Sequence, residues 1–239
     1  MASFGKNIWI IANWKSNKTI QEALDWISKV GPNLPKSPST SSGLKVVVCP
    51  TFSCLSEVKK AITVGGFPLM VGSQDLSPFD IGAYTGEESA LLLRELISLS
   101  IIGHSERREN FGETDEMIAQ KNKQALENGI IPLVCVQGEE TPVPKDCQLI
   151  AYEPIWAIST GLTNTPGVGE ADTPADANKI ADSFRKKYGS ELEVIYGGSV
   201  DSTNVKGFIT QTEIAGVLVG NASLSADEFL RIVKICEEN

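Results

Sequence analysis

Three segments of the chain carry side chains suited to moving a proton beside a carbonyl group. His104, the only histidine, stands in "GHSERR" (103–108), Glu153 in "AYEPIWA" (151–157) and Lys15 in "ANWKSN" (12–17). A carboxylate can take a proton from carbon next to a carbonyl, an imidazole can donate to the carbonyl oxygen, and an ammonium group can balance the charge that develops. Two glycine-rich segments, "YGGSV" (196–200) and "GVLVGNASL" (216–224), offer backbone N–H groups of the kind that hold a phosphate. Taken singly, each has an ordinary reading: a hydrogen-bonded histidine, a solvated carboxylate, a surface lysine, a turn. They gain weight only if the fold brings them together.

The elements that would do so are legible. Eight short β-branched runs recur at 8–13, 45–50, 68–73, 98–103, 131–136, 148–153, 193–198 and 215–220. They are apolar throughout rather than alternating, as expected of parallel strands covered on both faces. Amphipathic segments lie between most of them, with helices expected at 19–30, 87–97, 115–129, 173–189 and 225–239, and a further helix N-terminus near Ser105 just after the fourth run. Thr173 and Pro174 open one of these with a cap and a first-turn proline. Alternation of eight strands with helices over 239 residues predicts one (β/α)8 barrel domain spanning 1–239. A doubly wound open sheet is the alternative, but no GxGxxG follows the first run. The fifth unit breaks the pattern. "QGEETPVPKDC" (137–147) carries two prolines and predicts a loop in place of a helix. In such a barrel the carboxyl ends of the strands form the site. Asn13, Lys15, His104, Glu153, Ser199, Gly220 and Asn221 all fall at or just beyond those ends.

A net charge of −9 argues against nucleic acid or an anionic membrane as partner, because both need a basic face. Five cysteines with no CxxC spacing point to a reduced, cytoplasmic chain. One histidine and scattered cysteines give no expectation of a metal site. The first apolar run is too short for a signal peptide, and no stretch approaches 18 apolar residues, so neither secretion nor a membrane span is expected.

The motifs "ANWKSN", "GHSERR", "AYEPIWA", "YGGSV" and "GVLVGNASL" together resemble those of the triose-phosphate isomerases, in order and in strand placement, from residue 8 to the C-terminus. The resemblance implies a TIM barrel and a cofactor-free isomerase acting on a small phosphorylated triose, interconverting dihydroxyacetone phosphate and glyceraldehyde 3-phosphate. It implies Glu153 as the base, His104 as a neutral electrophile and Lys15 as the cation facing the enediolate and phosphate. Asn13 resembles an additional polar contact, and Glu106 matches the carboxylate beside the lysine. Ser159, Ser199, Gly220 and Asn221 fall where the family contacts phosphate. Glu113 matches no reacting group and reads as a helix-start residue. Cys135 matches a family cysteine.

Two positions depart from the family's pattern: Ser159, in the lid at 154–161, and Asn221 each stand where glycine is usual. Each keeps a peptide N–H, and the local backbone angle decides whether it stays available. The segment "QDLSPFDIGAYTGEES" (74–89) resembles the family's intersubunit loop, with Thr85 near its tip. It implies a homodimer, and an uncovered fifth strand would leave apolar surface for a tetramer. A non-catalytic phosphate-binding barrel and a different phosphosugar isomerase are the competing readings.

Overall fold

The computed structural model describes residues 5–35, 42–154 and 172–239. Eight parallel strands close into a barrel in sequence order: β1 (Gly5–Asn13), β2 (Ser42–Cys49), β3 (Met70–Ser73), β4 (Leu99–Ile102), β5 (Ile131–Val136), β6 (Leu149–Tyr152), β7 (Glu193–Tyr196) and β8 (Ile214–Val219). Closure comes from β1 pairing with β8, Trp9 opposite Gly216 through Ala12 opposite Val219.

Period-two side-chain alternation divides the core into two layers. Trp9, Ile11, Val47, Cys49, Leu99, Ile101, Leu133, Cys135, Leu149, Ala151 and Ile195 fill the barrel interior. The intervening residues, among them Ile8, Ile10, Val46, Val48, Val134, Ile150 and Val194, face the helices. Gly216 interrupts this alternation. Its φ is +151°, and a Cβ there would lie 2.1 Å from the Trp9 carbonyl oxygen, so only glycine fits. Ala215 and Leu218 both point inward across the resulting shift, and the strand leaves the barrel at Gly220 in the phase that the site requires.

The covering helices are α1 (Ile20–Val30), α2 (Phe52–Gly65), α3 (Ala90–Leu93), α4 (Ser105–Phe111), α5 (Asp115–Glu127), α6 (Pro174–Tyr188), α7 (Val205–Ile209) and α8 (Ala226–Glu237). Thr19 and Glu22 form a reciprocal capping box on α1, which buries Ala23, Trp26, Ile27 and Val30. Thr173 caps α6 by accepting from the Asp176 N–H, with Pro174 at the first position. Each large apolar side chain buried this way contributes about 1.5–3 kcal/mol before entropy is counted.

The structure corrects the sequence reading in three places. The expected helix at 87–97 contracts to Ala90–Leu93: the Leu96 and Ile97 N–H groups both turn back to Leu93 O, and the Ser98 N–H then donates to Val71 O and begins the pairing of β4 with β3. Helices α2 and α7 were not anticipated, although Leu55, Val58 and Ile62 give helical spacing and Gly66 a left-handed C-cap. The fifth unit does lack a helix over 137–148, but β5 is not left open. Val134 and Val136 are fully buried. Val143 and Cys147 of the loop pack on the core, and the loop is pinned by Val143 N–H to Tyr188 Oη (3.4 Å) and Asn122 Nδ2 to Lys145 O (3.0 Å). The apolar face expected to recruit a second dimer is therefore closed by the loop itself.

Candidate active site at the carboxyl ends of the strands

Glu153 extends β6 by one residue. Its N–H donates to Val136 O at 2.8 Å, and it continues the inward-facing set Leu149 and Ala151. The side chain is 1% exposed. Oε2 accepts the Ser105 N–H at 3.0 Å, at the positive end of α4. Oε1 lies 3.2 Å from His104 Nε2 but off the line of a good hydrogen bond, and it has no other partner among the described residues. A buried carboxylate oxygen left open in this way is costly, and such exceptions gather at reactive sites. Beneath it, burial pushes the Cys135 thiol well above its ordinary range, and the Glu153 charge pushes it the same way, so the thiol stays neutral. Gly197 makes room beside the carboxylate, since a Cβ there would sit 2.8 Å from Glu153 Cγ.

His104 reaches the same mouth because Gly103, at φ +66°, turns the chain out of β4, where a Cβ would also meet Ile118 Cδ1 at 2.7 Å. His104 then serves as the N-cap of α4. Its Nδ1 accepts the Glu106 N–H at 3.2 Å, which leaves the proton of a neutral ring on Nε2, the nitrogen that faces Glu153.

Lys15 follows β1 in a left-handed conformation, φ +53°, unusual for a residue with a side chain. Two contacts hold it there. Its N–H donates to Asn13 Oδ1 at 3.0 Å, and its carbonyl accepts from Gln74 Nε2 at 2.9 Å, while the same amide also donates to Cys49 O. Lys15 Nζ meets Glu106 Oε1 at 2.6 Å. Sequence reading passed over Gln74, although it stands at the end of β3, where the same strand-end argument applies.

A cavity of about 320 Å³ opens beside these groups, lined by His104 and Lys15 but not by Glu153 or Glu106. Asn13, Lys15, His104, Ser199, Gly220 and Asn221 line it, with Gly197, Gly198 and Asp201. The N–H groups of Gly198, Asn221 and Ala222 hydrogen-bond to no described residue. Asn221 does not adopt a positive φ, so asparagine needs no special backbone allowance there. Asn13, Lys15, His104, Ser199, Gly220 and Asn221 thus share one cavity. Glu153 adjoins it through His104 and Glu106 through Lys15, while Ser159 lies outside the described residues, as does the lid from 155 onward.

Glu113 is not a simple helix-start residue. It is buried and joins Lys121, Arg107 and Asp75 in a charge cluster between the end of β3, α4 and α5. Lys121 Nζ meets both Asp75 oxygens at 2.7 Å, and Arg107 reaches Asp75 at 2.9 Å. Among the described residues no group of three or more His, Cys, Asp or Glu side chains could hold a metal ion, and no helix is long and apolar enough to cross a membrane.

Fold and site together define an α/β-barrel enzyme with a carboxylate and an imidazole facing one another at the carboxyl-end mouth. The family model described as triosephosphate isomerase matches residues 8–147 and 142–236. The triosephosphate isomerase of Dehalococcoides mccartyi is 37% identical over 258 residues, covering 96% of this chain and 96% of that protein. That of Thermus thermophilus is 35% identical, covering 96% and 99%. The crystal structure of triosephosphate isomerase from Bartonella henselae superposes with a TM-score of 0.78 at 28% identity, covering 96% of this chain and 98% of that one. The chain belongs to the triosephosphate isomerase family.

Proposed function

We propose that the chain interconverts dihydroxyacetone phosphate and D-glyceraldehyde 3-phosphate, in glycolysis and gluconeogenesis, with Glu153, His104 and Lys15 as its catalytic residues. The observation that carries this is the approach of Glu153 Oε1 to His104 Nε2 at 3.2 Å, one a proton acceptor with no hydrogen bond among the described residues and the other the nitrogen that carries the proton of a neutral, Nδ1-capped ring.

Glu153 takes the proton from C1 of the ketose while His104 Nε2–H donates to the C2 carbonyl oxygen. The C–H electron pair becomes the C1–C2 double bond of an enediol(ate). Return of the Glu153 proton to C2, with the O1 proton passing to the imidazole, gives the aldose, and both groups end as they began. Lys15 offsets the negative charge that develops on oxygen. A preorganised donor of this kind accounts for about 2.7–4 kcal/mol of barrier. The phosphate is held by the N–H groups around Gly198, Ser199, Gly220 and Asn221, with Asn13 fixing Lys15 and Glu106 steadying its ammonium.

The protein acts as a homodimer in this reading. Phe79 and Tyr84 stack at 4.4 Å within the 74–89 loop, where Ile81 is 57% exposed. A second cavity of about 270 Å³, on the outer side of Lys15, is lined by Phe52, Gln74, Arg107 and the 70% exposed Phe111. The loop tip of one protomer, with Thr85, fits that cavity on its partner. The cytoplasm suits five free thiols.

A coupled assay with glyceraldehyde 3-phosphate tests the reaction. Turnover in the wild type and its loss in Glu153→Gln support it, and an inert wild type that still binds phosphate would favour a binding barrel instead. Light scattering at micromolar concentration that shows only monomer would overturn the dimer.

A further inference from the structure

The geometry points to Asn221 as a side-chain ligand of the substrate phosphate, its carboxamide adding a donor that the peptide backbone does not supply. This inference rests on the isomerase reading of the site. Asn221 lines the cavity with Lys15, Gly198 and Ser199. It is exposed, and its carboxamide hydrogen-bonds to no described residue. The adjoining Gly220 lies against Lys15, with a Cβ built there only 3.4 Å from Lys15 Cε, so Asn221 stands next to the lysine end of the cavity.

The charge balance shows why another neutral donor matters. Among the described residues Lys15 is the only cation lining this cavity, and Glu106 pairs with it at 2.6 Å. Asp201 also lines the cavity, and hydrogen bonds from Thr203 Oγ1 and the Thr203 and Asn204 N–H groups hold it ionised. Glu153 adds a third carboxylate beneath. Among the described residues, the one ammonium lining this cavity stands against Asp201 and the adjoining Glu106 and Glu153 carboxylates, yet the substrate is a dianion. Net charge does not hold it. N–H donors aimed at the phosphate must, and such bonds to a charged acceptor are stronger than neutral ones. A carboxamide contributes two N–H donors and no charge, whereas glycine at this position would offer its peptide N–H alone.

The test compares Asn221→Ala, Asn221→Gly and Asn221→Asp with the wild type. Alanine and glycine both fit the backbone angle at 221, and circular dichroism and the thermal midpoint verify the fold. KM for glyceraldehyde 3-phosphate and Ki for inorganic phosphate should rise about five- to tenfold in the alanine and glycine variants, the size of one hydrogen bond to an anion. They should rise further in the aspartate variant, where a like charge faces the ligand. Turnover of unphosphorylated glyceraldehyde should stay within about twofold, because that substrate never meets the carboxamide. If Asn221→Ala and Asn221→Gly leave KM and Ki within about twofold, the inference is wrong. Equal losses on both substrates would show a turn-shaping role and overturn it too. A wild type without isomerase activity, but with phosphate binding weakened in Asn221→Ala, would remove the isomerase reading and leave the ligand.

Discussion

The backbone N–H of Ser105 holds Glu153 Oε2 at 3.0 Å across 48 residues of sequence. The carboxylate is thereby anchored on the first turn of α4, with its other oxygen turned to His104. Glutamine retains a carbonyl oxygen for the Ser105 N–H, so Glu153→Gln should keep the fold and the affinity for inorganic phosphate. An amide accepts no proton from carbon, so kcat should fall by about 10³-fold or more, roughly 4 kcal/mol of barrier. Steady-state kinetics beside phosphate inhibition separates the two effects, and a rate within about tenfold of wild type would end the assignment of the base.

The Glu106 N–H on Nδ1 sets the tautomer of His104. A neutral ring should therefore carry its proton on Nε2. Nitrogen NMR of the protein labelled in histidine reports this directly: one pyridine-type signal for Nδ1 and one pyrrole-type signal for Nε2. With one histidine in the chain no assignment step is needed. A pyrrole-type signal on Nδ1 would contradict the geometry.

Lys121 is 2% exposed and bridges Asp75 and Glu113. Lys121→Met keeps the apolar stem and removes the charge, leaving two buried carboxylates with Arg107 alone. Breaking a buried pair from one side costs about 3–5 kcal/mol. Urea unfolding at fixed protein concentration should show that loss, and the loss should shrink toward acid pH, where one carboxylate can take a proton. A change below about 1 kcal/mol would mean that water already compensates the cluster.

Burial pushes the Asp75 carboxyl up to about 6, against the opposing pull of Lys121 and with a further push from Glu113. For Glu113 burial also pushes upward, but hydrogen bonds and charge from Lys121 and Arg107 outweigh it, and its carboxyl stays below the usual range. The folded chain therefore binds a proton at Asp75 more tightly than the unfolded chain does. Its contribution to stability falls as pH rises from the ordinary aspartate value of 3.8 to about 6. Asp75→Asn lacks this dependence. The stability of wild type relative to Asp75→Asn should be greater near pH 5 than near pH 7, read from denaturant midpoints. The Glu113 effect has the opposite sign and acts below its ordinary 4.5, outside that window. A difference independent of pH would show that Asp75 is ionised throughout.

Local chemistry determined much of this protein. The eight apolar runs lie within a few residues of the strands found, because burial on both faces leaves an unbroken apolar signature and paired strands are short. Thr173, Pro174 and Gly189 bounded α6 from the sequence alone, since caps are satisfied within a few residues of chain. His104, Glu153 and Lys15 were legible because strand ends in such a barrel share one mouth. The tertiary structure decided whatever depends on partners far apart in the chain. Gln74 holds Lys15 across 59 residues, and Lys121 neutralises Asp75 across 46. Glu113, which reads as a helix start, is a buried ion because Arg107 and Lys121 converge on it. The fifth unit is closed rather than open because Val143 and Cys147 pack back onto the core and Tyr188 meets the loop from α6. Periodicity and capping report the short-range physics of the chain, whereas desolvation and charge balance depend on which distant groups share a site, and only the closed barrel sets that.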